Sequence, residues 1–277
     1  MTSVVLLGDS TLDNVVWTSS PKHSVPVRLD ALLKERDGNA KVVNLAADAF
    51  TSKDVLHGAV PFVSYEARKK AGDPFPGALG EVFQPLKVLR QLKDPKPSHV
   101  VLSVGGNDVR EILRNLNGGN LFSTLQQLMA NWTTMTSEIA SQNIPLIFVF
   151  LYRPSTKQNN YHVYEAMSTI PVPGNEGVSK LEFLLQSFYT QAVGHILQVA
   201  PKNLAFADLT NSFNCRDESL YSHQIEPSDE GSTIVASLID HIVAHHDFAG
   251  TPVVYRKDLA SGEFVAAEPA TWSVVPQ

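Results

Sequence analysis

Short apolar runs recur along the chain, and a segment of helical periodicity separates each from the next. The runs Val4–Leu7, Lys41–Leu45, His99–Val104, Leu146–Leu151 and Leu204–Ala207 are rich in Val, Ile and Leu and too short for helices. Such runs mark strands buried on both faces. Helices are expected over roughly Val25–Arg36, Thr51–Lys69, Glu81–Gln91, Leu121–Ser141, Val178–Val199 and Ser228–His246. Leu181, Leu184, Leu185, Phe188 and Ala192 recur at the spacing of an amphipathic helix. Strands alternating with helices require a mostly parallel sheet covered on both faces.

The 277 residues suffice for one large α/β domain. A formal net charge of −6 gives no electrostatic case for nucleic-acid binding. A single cysteine, Cys215, excludes an internal disulfide and a cysteine-rich metal site, and reads as a packed small hydrophobe. No metal is expected. The one literal Asp-x-x-His, Asp54 to His57, falls on an expected helix as a surface pair. No dinucleotide or phosphate-loop fingerprint occurs, so no cofactor is expected either. Val4–Leu7 is too short for a signal peptide or a membrane span, which points to a cytoplasmic protein.

Two glycine turns carry the chemistry. The first strand ends at Gly8-Asp9-Ser10. A serine there sits at the carboxyl end of a strand, where open α/β sheets bind ligands. It is either a helix-capping turn or a nucleophile. The third strand ends at Gly105-Gly106-Asn107-Asp108. Asn107 either caps the turn or offers its amide to an oxyanion. The segment Asn44–Thr51 also follows a strand, and its turn can offer a backbone N–H.

These three blocks, in this order, resemble the SGNH (GDSL) hydrolase family over roughly residues 2 to 246. The resemblance implies a flavodoxin-like, three-layer α/β/α fold with a parallel five-stranded sheet. It also implies ester or acyl hydrolysis without a metal. Ser10 would be the nucleophile. The Ser10 N–H, the Ala49 N–H and the Asn107 side chain would form the oxyanion hole. Asp9 and Gly106 would support the two turns, Asp9 by accepting backbone N–H bonds. The family usually carries glycine at the position of Ala49. Alanine resists positive φ, so this loop is expected to differ.

The fourth block departs from the family. Asp-x-x-His is expected before the last helix, and the chain reads Tyr221-Ser222-His223-Gln224-Ile225-Glu226-Pro227-Ser228. Glu226 falls where the histidine should be, and His223 where the aspartate should be. Three readings stay open. His223 reaches Ser10 and Glu226 orients it, as an inverted dyad. Glu226 itself is the base, although an ordinary glutamate near pKa 4.3 is a weak one. Or the site binds an acyl or sugar ligand and hydrolyses poorly. A base from elsewhere in the chain is the remaining option.

Residues 1–246 are thus read as one hydrolase-like domain and 247–277 as a C-terminal extension. In the extension, Thr251–Arg256 and Glu263–Ala267 flank a glycine-containing turn, as in a β-hairpin. It would cover a sheet edge or meet a second copy in a homodimer. A long loop from Arg153 to Gly177, with Tyr152, Tyr161, His162 and Tyr164, either lines the site or packs on itself. Arg153 would contact a substrate anion or stand as a surface charge. The expected activity is a serine esterase or deacylase acting on small or medium acyl esters. The alternative is a catalytically impaired protein of the same fold that binds an acyl or sugar ligand.

Overall fold

The computed structural model describes residues 1–114, 121–157, 163–223 and 225–277. Its first half alternates as the sequence requires. The elements are β1 (Ser3–Gly8), α1 (Val25–Arg36), β2 (Lys41–Asn44), α2 (Ser52–His57), α3 (Tyr65–Ala71), α4 (Pro85–Gln91), β3 (His99–Ser103), α5 (Gly106–Arg114) and α6 (Leu121–Ser141). The second half runs β4 (Leu146–Phe150), α7 (Val163–Ser168), α8 (Gly177–Val199), β5 (Leu204–Asp208), α9 (Leu209–Ser212), β6 (Tyr221–Ser222), β7 (Glu226–Pro227), α10 (Asp229–His245), β8 (Val254–Lys257) and β9 (Phe264–Ala267).

The main sheet has the order β2-β1-β3-β4-β5-β8-β9. All neighbours pair in parallel except β8 and β9, which are antiparallel. Side chains alternate across each strand, so each run feeds two cores. Val5, Leu7, Leu102, Phe148 and Phe206 pack with Trp132, Ile139, Phe188 and Tyr189 of α6 and α8. Val4, Leu6, Val101, Ile147 and Ala205 pack with Leu29 and Leu33 of α1 and Val235, Leu238 and Ile242 of α10. Three layers result.

The structure departs from the sequence reading in three places. The sheet has seven strands rather than five, because the C-terminal hairpin joins it. Val254 of β8 sits beside Phe206 of β5 and is buried in the main core. The chain beyond also returns to the core: the Trp272 indole N–H donates to the buried Asp208 carboxylate at 2.7 Å. The helix expected over Thr51–Lys69 is two. Gly58, at φ 88°, ends α2, and Ala59 then bridges to Phe83. Within α2, Asp54 completes a capping box with Thr51. The long loop after β4 contains the short helix α7; Tyr161 and His162 lie outside the described residues.

Candidate active site

Gly8 brings β1 so close to β3 that a Cβ there would lie 1.6 Å from the Ser103 carbonyl oxygen. Its φ of 145° suits glycine, and the chain then turns sharply. The Asp9 N–H donates to the Ser103 carbonyl at 3.1 Å, and the N–H groups of Leu12 and Asp13 donate back to the Asp9 carbonyl at 3.0 and 2.9 Å. The Asp9 carboxylate accepts the Thr11 N–H at 3.0 Å. Asp9 therefore holds this turn, with Ser10 at its apex over the carboxyl ends of the strands.

A second carboxyl meets the serine from across the cleft. Asn14 ties the nucleophile loop to the last helix and the strand before it. Its amide donates to Ser232 Oγ at 2.6 Å and to the Pro227 carbonyl at 3.3 Å, while its oxygen accepts the Val25 N–H at 2.9 Å. Pro227 lies on β7, next to Glu226. The Glu226 side chain is 3% exposed and faces Ser10, whose hydroxyl supports its ionised form. Its Oε2 has no hydrogen-bond partner among the described residues. Burial pushes this carboxyl up to about 8. Asp48 and Asp9 repel its charge further, and Ser10 and Arg110 offset part of the shift.

His223 stands elsewhere. It occupies the turn between β6 and β7 at φ 56° and is exposed, with its ring edge-on to Trp17 at 5.5 Å. The β6–β7 pairing is antiparallel, Ser222 opposite Glu226. It turns Glu226 inward and leaves His223 at the tip.

Two of the oxyanion-hole candidates, Ser10 and Asn107, line the same pocket, and Ala49 is exposed. The Asn107 amide donates to the Phe50 carbonyl at 3.1 Å, which fixes the third block against the second. Asp108 locks the same two blocks by accepting the Ser52 N–H at 2.8 Å and hydroxyl at 2.6 Å. Gly106 lines the pocket beside Asn107. Ala49 corrects the expectation that its loop would differ, because it adopts φ 65°, the left-handed conformation a glycine would take. The local bonds explain how. The Asp48 N–H donates to Asp13 Oδ2 at 3.2 Å, and the Asp48 carboxylate accepts the Trp17 indole N–H at 3.2 Å. Those bonds hold alanine where it costs about 1 kcal/mol. Ala49→Gly is expected to raise stability by about 0.5–1 kcal/mol in chemical denaturation. A loss of stability would show that the loop does not need this conformation.

The site is rich in buried acids. Burial, with repulsion from Asp108 and Asp48, raises Asp9 to about 7. Burial also raises Asp13 to about 6, against the pull of Arg68. Arg68 is fully buried and donates to the carbonyls of Ala46, Asn44 and Asp73 at 3.1, 2.9 and 3.0 Å. Asp48 is raised by burial, with Arg110 as its partial counter-charge. Beside Ser10 opens an apolar pocket of about 100 Å³, walled by Leu151, Val163, Leu181, Leu185 and Ile225, with Asn107 and Arg110 among its lining residues.

Arg153 is neither a substrate contact nor a surface charge. It is fully buried and donates to Glu182 Oε1 at 2.6 Å, to the Val275 carbonyl at 2.8 Å and to the Thr210 carbonyl at 3.2 Å. Cys215 is buried, as expected of a packed hydrophobe. The sequence reading missed Asp48, Arg110 and Trp17 as site residues. Only Asp48 had a signal, its place in the block that holds Ala49. Among the described residues no group of three or more His, Cys, Asp or Glu side chains is placed to hold a metal, and no helix is long and apolar enough to cross a membrane.

The three layers, the parallel central sheet and the serine turn at the end of β1 agree with the fold that the resemblance to the SGNH hydrolases implies. No protein-family model matches the sequence, and no curated protein matches it. Solved structures do. An Axe2 mutant, an acetyl-xylooligosaccharide esterase from Geobacillus Stearmophilus, is similar at 16% identity over 88% of this chain and 95% of that one, with a TM-score of 0.53. A lipase from a goat rumen metagenome is similar at 14% identity over 87% and 97%, TM-score 0.53. An acetyl xylan esterase is similar at 14% identity over 87% and 99%, TM-score 0.51. At these identities the likeness establishes the fold.

Proposed function

We propose that this protein is a serine esterase or deacylase for small or medium acyl esters, working through an acyl-Ser10 intermediate with Glu226 as its base. The carrying observation is the buried Glu226 carboxyl at Ser10, pushed up to about 8, while His223 stands exposed against Trp17. A serine hydroxyl needs a neighbouring base. A base works best with a pKa near the operating pH, and burial brings this carboxyl there.

In the ionised enzyme, the Glu226 carboxylate takes the Ser10 proton as Oγ attacks the ester carbonyl. The oxyanion meets the Ser10 N–H and the Asn107 amide; an amide carries two N–H donors, and Phe50 engages one. Collapse breaks the ester C–O bond, and the leaving alkoxide takes the proton from Glu226. Water then repeats the sequence in reverse and frees Ser10. The pocket beside Ser10 is walled mainly by apolar side chains, which suits the acyl chain of an ester.

One observation favours the alternative of an impaired, ligand-binding protein: the Asp48 carboxylate lies beside the Ala49 N–H and would repel an oxyanion there. Hydrolysis of p-nitrophenyl acetate, butyrate and octanoate by wild type and Ser10→Ala separates the two. The expected result is ester turnover that Ser10→Ala abolishes. Equal rates in both proteins would sink the esterase reading.

A further inference from the structure

Tyr152 follows β4 by two residues, and no step above uses it. Its hydroxyl donates a short hydrogen bond to the Ile225 carbonyl. The Thr11 side chain lies beside the same hydroxyl, and Glu226 and Asp9 both face it. Thr11 directly follows Ser10, and Ile225 directly precedes Glu226. One phenolic oxygen therefore stands between the chain neighbours of the two reacting side chains. The ring is clamped independently of its hydroxyl. It stacks on Phe213 at 4.7 Å with 19° between planes, and Tyr221 lies 6.1 Å away. Removing the oxygen alone would leave that stack intact.

A second bond runs the other way. The Tyr221 hydroxyl donates to the Arg153 carbonyl at 2.8 Å, and the Arg153 side chain is itself fixed by Glu182, Thr210 and Val275. Tyr221 opens β6, the partner of the strand that carries Glu226. The two bonds brace this small hairpin against the end of β4. Tyr152 also stands beside Thr11 of the nucleophile loop, and both line the pocket at Ser10.

We infer that Tyr152 is a positioning residue that sets the separation of Ser10 and Glu226 by bridging Thr11 and Ile225. The inference rests on the reading of Ser10 as nucleophile and Glu226 as base. A misplacement of about 1 Å can cost on the order of 10²-fold in rate. Tyr152, Thr11 and Ile225 also line the acyl pocket, but the phenolic oxygen is turned to the Ile225 carbonyl and phenylalanine keeps the ring that faces the substrate. Tyr152→Phe therefore lowers kcat and leaves KM in place.

The test is steady-state hydrolysis of p-nitrophenyl butyrate by the full chain, in wild type, Ser10→Ala, Tyr152→Phe, Thr11→Val and the double variant Tyr152→Phe/Thr11→Val, with a melting curve for each. In the two single bridge variants kcat is expected to fall by about 10–100-fold with KM within about twofold. The double variant should lose no more than the worse single one, because both break the same bridge. Wild-type kcat in Tyr152→Phe, or losses that multiply in the double variant, overturns the bridge. A lowered melting point with unchanged kcat also overturns it, as the mark of a merely structural role. If Tyr152→Phe does not fold, Thr11→Val alone decides by the same kcat criterion. Turnover retained in Ser10→Ala brings down both the functional reading and the bridge. A dead Ser10→Ala beside a fully active Tyr152→Phe brings down the bridge alone.

Discussion

Glu226→Gln is expected to lower ester turnover by about 10²–10⁴-fold, the usual contribution of a positioned general base, while His223→Ala stays within a few-fold of wild type. Glutamine keeps the shape of the side chain and cannot accept the Ser10 proton. His223 has no such part, since its ring rests on Trp17 at the exposed tip of the β6–β7 turn. The pH dependence follows from the same group. Glu226 acts when ionised, and burial holds it protonated up to about 8. Turnover should therefore climb through neutral pH and level off above about 8. Initial rates on p-nitrophenyl butyrate from pH 5 to 9.5 check both points. A large loss in His223→Ala would return the role to His223.

The second large effect is on stability, and it opposes the first. The native protein holds protons on Glu226 up to about 8 and on Asp9 up to about 7, while an unfolded chain releases them near ordinary carboxyl values. The folded state thus binds more protons, and stability falls as pH rises. The contribution is complete below the unfolded pKa and is lost by the time pH has passed the folded one. For Glu226 the span from 4.5 to about 8 corresponds to about 5 kcal/mol. Glutamine does not titrate. Glu226→Gln should match wild type near pH 5 and exceed it by several kcal/mol at pH 9 in urea unfolding. Parallel stability curves for the two proteins across that range would show that Glu226 is not a buried acid. A site that destabilises its own fold to keep a base at hand is a familiar trade.

How much of this the sequence discloses depends on the range of the interactions involved. Local periodicity places α1 at Val25–Arg36 and α6 at Leu121–Ser141, and apolar runs locate the five central strands. Gly8 and Ser10 are legible because the turn chemistry is contiguous. Glu226 and His223 are legible as types and not as roles. Two-residue strands such as β6 and β7 carry no period, and which residue faces inward is set by Tyr152, Tyr221 and Asn14 from distant parts of the chain. Arg153 shows the same limit. Its sequence neighbours suggest an exposed loop, and its partners Glu182 and Val275 arrive from α8 and the C-terminal segment. Ala49 is misjudged for a different reason. Propensity disfavours its φ, and tertiary hydrogen bonds around Asp48 override propensity. The hairpin β8–β9 is readable as a hairpin, but its parallel docking on β5 is a long-range event.

The most direct measurement is the rate at which a fluorophosphonate modifies Ser10, followed by intact-protein mass across pH in wild type, Glu226→Gln and His223→Ala. It reads the nucleophile and its base without a choice of ester. The expected result is a rate that rises with a midpoint near 8 in wild type and His223→Ala, and a slow, nearly pH-independent rate in Glu226→Gln. Wild-type labelling of Glu226→Gln, or loss of labelling in His223→Ala, would contradict Glu226 as the base.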